Sequence, residues 1–281
     1  MYDLERIKCK GIYYPYLAKN LELSEDQIII IDSLDNFADY KNPLGRVGGT
    51  STGTVYPYGE DKVFKLFHTK FHAGDSKICA MFKNGTVVYP EKIVYLENKN
   101  VGKEIVGTIM PRIKGYNCAD DDSTEFLKYS FKELIEALEV AKSDIKELSE
   151  EYGVKLTDYK PEHTYITPKI YRIDCDDSEI GYRKLPSAEA LYNHNTYAIA
   201  RPILIRLFTE FNSREYFQLN GNHPWLSHSC KNIGSIRSAS SDKEDFIQAA
   251  INYLSEFENT VHKEYPGVST FRGAKLVLSR K

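Results

Sequence analysis

The feature that most constrains this chain is a change of hydrophobic period partway along it. Up to about Met110 the apolar residues come in short strand-like runs, among them Gln27 to Ile31, Gly53 to Tyr56, Lys62 to Leu66 and Ile105 to Met110, punctuated by glycine, proline and asparagine. From Ser130 the period becomes helical. Phe131, Leu134, Ile135, Leu138, Ala141, Ile145, Leu148 and Tyr152 fall on one stripe, Ser130 and Glu133 have capping-box spacing, and Gly153 stands where a helix stops. A long helix over about 130–152 follows. A second is expected over about 242–263, opened by Ser241 and Glu244 and carrying Phe246, Ile247, Ala250, Leu254 and Phe257 on its apolar side. A strand-rich first part and a helix-rich second part predict an α+β chain, with the polar segment Arg112 to Ser123 as a hinge.

The 281 residues are 42% hydrophobic and 27% charged, which allows a substantial core. A formal net charge of −3 gives no electrostatic reason to expect nucleic acid as a partner. The longest apolar run, Ile28 to Ile31, is far too short to span a bilayer, and the charged residues among the first twenty leave no room for a secretory signal. Five cysteines without a CxxC spacing support neither a disulfide framework nor a zinc module, so a reduced, cytoplasmic protein is expected. His223, His228 and Cys230 match no standard metal spacing and are read as loop or packing residues.

Four stretches carry chemistry. Gly48-Gly49-Thr50-Ser51-Thr52-Gly53-Thr54-Val55 lies between strand-like runs and is rich in residues that let backbone N–H groups approach a phosphate, although a plain hairpin turn would use similar residues. Lys65 follows on what should be the next strand and points the same way as Val63 and Phe67. After the long helix comes Leu156-Thr157-Asp158-Tyr159-Lys160-Pro161-Glu162-His163, and sixteen residues past Asp158 stands Asp174, in Ile173-Asp174-Cys175-Asp176.

In this order, from about Leu44 to the C-terminal helices, the stretches resemble the landmarks of the protein kinase-like superfamily and are most similar to divergent bacterial Ser/Thr protein kinase-like proteins. The resemblance implies a two-lobed fold, with a β-rich N-lobe over 1–111 and a helical C-lobe over 112–281 whose buried helix begins at Asn195. It implies ATP and Mg²⁺ or Mn²⁺ as cofactors. Gly48, Gly49, Gly53 and Val55 would cover the nucleotide, Lys65 would hold its α and β phosphates, and Met110 would take the gatekeeper position. Asp158 would be the catalytic base, Lys160 would offset charge on the transferring phosphoryl group, and Asp174, His163 and Asp176 would be the metal ligands.

The sequence departs from that pattern at several points. Thr50 replaces the middle glycine. Asp75 is the single acid between Lys65 and Glu91, so the glutamate expected to pair with the strand lysine is missing and the partner of Lys65 is unassigned. His163 replaces a metal-binding asparagine, and an imidazole is a softer ligand than Mg²⁺ prefers. Thr157 replaces the arginine that ties the catalytic loop to a phosphorylated segment, so switching by activation-loop phosphorylation is not expected. Three readings stay open: an active protein kinase, a pseudokinase that serves as a nucleotide-binding interaction module with an unknown protein partner, and a small-molecule kinase.

Overall fold

The computed structural model describes residues 23–35, 37–39, 42–44, 53–68, 80, 82–98, 102–120, 122, 124–157, 159–175, 178, 187–211 and 244–279. The chain is α+β. It divides into two compact units, one made of residues 1–113 with 173–178 and the other of 114–172 with 179–281.

The first unit is built on a five-stranded mixed sheet. Its strands are β1 (Ile28–Ile31), β2 (Gly53–Tyr58), β3 (Lys62–Phe67), β4 (Lys92–Asn98) and β5 (Gly102–Pro111), in the order β1-β4-β5-β3-β2. β1 runs parallel to β4 and every other pairing is antiparallel. β4 was not one of the runs named from the sequence. A register shift between Val94 and Tyr95 blurs the alternation by which a strand is recognised. Phe64, Val94 and Ile109 form a buried cluster on one face, covered by Leu34, Phe37 and Ala38 with neighbouring strand residues. The Phe37 ring meets Phe64 edge-on at 4.9 Å, a favoured aromatic geometry.

The second unit holds the four α-helices found among the described residues and a small antiparallel sheet. The helices are α1 (Phe131–Glu150), α2 (Ala188–Phe211), α3 (Phe246–Glu264) and α4 (Phe271–Leu278), and the sheet is β6 (Tyr116–Asn117), β7 (Thr164–Ile166) and β8 (Ile170–Arg172) in that order. α1 forms where its periodicity predicts. The Ser130 hydroxyl accepts from the Glu133 amide and the Glu133 carboxylate accepts from the Ser130 amide and hydroxyl, which holds that carboxyl below its ordinary range. At the other end Gly153 turns the chain with φ of 60°, and the Val154 amide returns to the Leu148 carbonyl. α1, α2 and α3 pack on one another, with Phe131 meeting Phe257 edge-on at 5.4 Å, and Leu138, Ile199, Leu204 and Leu254 on them are fully buried.

Two helices start elsewhere than expected. α3 starts at Phe246, capped by Asp245, whose carboxylate accepts from the Gln248 amide. Glu244 therefore lies before the cap, and Ser241 lies outside the described residues. α2 begins at Ala188, seven residues before Asn195, and the Ser187 hydroxyl accepts from the Ala190 amide at its start. The segment read as a polar hinge holds the boundary between the two units, at 113/114, and it also contributes β6 and buries Tyr116 and Cys118. Burial pushes the Cys118 thiol up to about 12, so it carries essentially no thiolate at neutral pH. Native protein treated with iodoacetamide at pH 7.5 should leave Cys118 and the equally buried Cys175 unmodified, with both labelling once the chain is unfolded. Mass-spectrometric mapping of the labelled peptides reads this directly. Among the described residues no helix is long and apolar enough to cross a membrane.

Candidate functional site

Strand register decides which side chains of the first unit share a face. Gly53 stands opposite Phe67, Val55 opposite Lys65, Lys65 opposite Thr108 and Val63 opposite Met110. Residues two apart along a strand, and residues paired across strands, project to the same side of a sheet. Gly53, Val55, Val63, Lys65, Thr108 and Met110 therefore occupy one face, opposite the Phe64 cluster. Gly53 is dictated by close packing, because a Cβ there would stand 2.5 Å from the Leu66 carbonyl oxygen.

Lys65 is 4% exposed, and a buried ammonium is costly unless a counter-charge meets it. That counter-charge comes from Asp174, 109 residues further along the chain, whose Oδ1 accepts from the lysine Nζ. The partner sought before Glu91 thus lies in the segment 173–178. The pair is asymmetric in exposure. The Asp174 side chain keeps 38% of its surface open against 5% for Lys65, so the lysine is neutralised by a carboxylate that is itself only partly buried. Asp174 is also the single non-glycine residue of positive φ among the described residues, at 58°. Asp tolerates that conformation better than most residues, and such outliers gather at functional sites because the surroundings must hold them. Immediately after it the Ser178 amide donates to the Cys175 carbonyl, closing a turn.

In the second unit the loop between α1 and β7 is pinned from two elements. Asn195 of α2 is fully buried. Its Nδ2 donates to the Val154 carbonyl (2.7 Å) and the Ser149 hydroxyl (2.8 Å), while its Oδ1 accepts from the Leu156 amide (2.8 Å). Arg201, also on α2, donates to the Tyr159 carbonyl at 2.9 Å, and the Tyr159 hydroxyl hydrogen-bonds the His194 ring. From β8 the guanidinium of Arg172 donates to the Lys160 carbonyl (3.1 Å) and the Thr157 carbonyl (3.2 Å), and reaches the Thr164 hydroxyl at 3.5 Å. The backbone on both sides of position 158 is thereby fixed at Thr157, Tyr159 and Lys160. Fixing a loop this way holds whatever side chain it presents, which is what a positioned catalytic group needs. Asn195→Asp is expected to cost about 2 kcal/mol although it is isosteric, because a carboxylate oxygen would replace the amide donor facing the Val154 carbonyl and a charge would be buried. Urea denaturation measures the loss.

Neither Asn195 nor Arg172 was expected to hold this loop. Arg172 stands in a short β-strand, and a large charged residue in a strand flanked by Ile170 and Ile173 is the one signal that could have marked it. Of the residues expected at the site, Lys160 is exposed and His163 is 8% exposed at the end of the 3-10 turn Pro161–His163, where its amide donates to the Lys160 carbonyl. Asp174 and His163 fall in different units. Gly48, Gly49, Asp158 and Asp176 lie outside the described residues, as do His223, His228 and Cys230. Among the described residues no group of three or more His, Cys, Asp or Glu side chains is gathered as a metal centre. No protein-family model and no curated protein matches the chain.

Proposed function

We propose that the chain is an ATP-dependent phosphotransferase with a two-lobed protein-kinase-like fold, acting as a divergent Ser/Thr-type protein kinase. The observation that carries the reading is the Lys65–Asp174 pair. Phosphoryl transfer asks little covalent chemistry of a protein. It asks for a cation to grip the phosphates and a carboxylate to hold a divalent metal against them. A buried strand lysine joined to a half-open aspartate supplies both groups within one unit. The antiparallel run β2-β3-β5-β4, with Gly53 and Val55 beside Lys65 on one face, adds support by giving a phosphate-bearing ligand a wall to lie against.

In this reading Lys65 binds the α and β phosphates. Asp174 holds Mg²⁺ or Mn²⁺, and its partly open carboxylate is a hard oxygen donor suited to either. The cation, when bound, supplies positive charge to the phosphate oxygens. His163, buried and offering a nitrogen, suits Mg²⁺ poorly, so Asp174 is the principal ligand among the described residues and Asp176 the carboxylate to test beside it. Asp158 orients the acceptor hydroxyl and takes its proton, and Arg172 and Arg201 fix the backbone of its neighbours Thr157, Tyr159 and Lys160. Lys160, exposed, offsets charge on the transferring group.

Incubation with labelled ATP and either metal is expected to label the protein itself or a protein substrate, and Asp158→Asn is expected to lose that labelling. Equal silence of the wild type and the variant across broad substrate panels would remove catalysis from the reading. The buried His163 in place of an oxygen donor favours a pseudokinase as the second reading. Thermal stabilisation by nucleotide without transfer identifies it. Turnover of ATP with metabolites but no protein labelling identifies a small-molecule kinase.

A further inference from the structure

Thr108 is fully buried on β5, and among the described residues its hydroxyl oxygen has no hydrogen-bond partner. An unpaired buried hydroxyl is costly, and valine, nearly the same in shape, would fill the position without that cost. Selection of threonine at such a place is a local inconsistency of the kind found where function outweighs stability. Its location indicates which function. Thr108 is the direct cross-strand partner of Lys65, one pair along from Val63 and Met110, and lies on the face that carries Val55 and Gly53.

We infer that Thr108 is a ligand-contacting residue of the Lys65 site, whose hydroxyl is satisfied when nucleotide binds, either by the nucleotide itself or by one water that the nucleotide traps. The inference rests on the nucleotide-site reading above. In the described state Lys65, almost inaccessible, is engaged by Asp174 and packs beside Thr108. A phosphate group competes with Asp174 for the ammonium. When the lysine side chain swings toward it, the floor beneath that side chain opens and the hydroxyl gains its partner. The unliganded protein then carries an unsatisfied group that the liganded protein does not, so part of the binding free energy comes from relieving it.

The test uses the full chain, a non-hydrolysable ATP analogue with Mg²⁺, calorimetry for affinity and thermal unfolding without ligand. Thr108→Val is expected to raise the melting temperature of the free protein by about 2–4 °C and to weaken analogue binding about fivefold to tenfold, the effect of one hydrogen bond. Thr108→Ser keeps the hydroxyl and should bind within about twofold of wild type, which separates loss of the hydroxyl from loss of the methyl group. Wild-type affinity in Thr108→Val overturns the inference and leaves the nucleotide site standing. A lower melting temperature in Thr108→Val also overturns it, because the hydroxyl would then already be satisfied inside the protein. Failure of wild type itself to bind the analogue removes the nucleotide-site reading, and this inference with it.

Discussion

If the chain is the phosphotransferase proposed above, Asp174→Asn is expected to lower phosphotransfer by about 100-fold or more while the protein stays folded. Asparagine is the informative replacement, because it shares with aspartate a tolerance for positive φ and so accepts the backbone angle of 58° that alanine would resist. The geometry of the segment is kept and only the charge is removed. Two effects then fall on activity together. On the phosphotransferase reading a divalent cation would lose its principal described carboxylate, and preorganised charge at such a site is worth about 10²–10³ in rate. The Lys65 ammonium also loses its counter-charge while remaining buried, so it would settle against the neutral amide or be drawn from its place on the sheet. Labelled-ATP transfer measured with Mg²⁺ and with Mn²⁺ gives the rate, and thermal unfolding confirms that the fold is retained. A variant that keeps more than about one tenth of wild-type activity would remove Asp174 from the centre of the site.

Why Asp174 could be picked out of the sequence while its partnership with Lys65 could not is a matter of sequence distance. Periodicity, caps and turn residues act over one to four positions. They located α1 through its stripe and its Ser130–Glu133 box, and they located β3 with Lys65 in it. The ion pair joins residues 109 positions apart, and no local rule reaches that far. The same limit hid Asn195 and Arg172: the hydrogen-bond partners of Asn195 lie 39–46 residues away and the loop carbonyls that Arg172 reaches lie 12–15 away, outside the range of any cap or turn. The start of α2 was misplaced for a different reason. A helix buried all round carries no polar stripe, and from Asn193 to Ala200 every residue is buried, so Asn, His and Thr stand where a periodic reading expects solvent. Pro202 inside the same helix further weakens the local signal. Tyr116 and Cys118 were read as part of a hinge because polar neighbours surround them in sequence, whereas Tyr116 packs on Phe126 with ring centroids 5.6 Å apart.

The largest loss of stability is expected at Arg172. It is 1% exposed and ranks among the largest fully buried side chains, so Arg172→Ala leaves a cavity the size of its stem as well as unpaired polar groups. The Thr157 and Lys160 carbonyls each lose a charged donor, and hydrogen bonds to charged groups contribute about 1.5–3 kcal/mol each. Relaxation of the loop and entry of water recover part of that. The net cost should be about 3–4 kcal/mol, read from urea denaturation at constant m. Arg172→Lys separates the two causes. Lysine fills most of the volume and keeps the charge, but a single ammonium cannot reproduce the planar fork that reaches Thr157 on one side and Lys160 on the other. If the fork is what matters, the lysine variant recovers less than half of the lost stability, and phosphotransfer stays depressed even at temperatures where the variant is fully folded, because position 158 is no longer held from both sides. Full recovery of stability and activity by lysine would show that buried volume and charge, and not the paired carbonyl contacts, are what the loop requires.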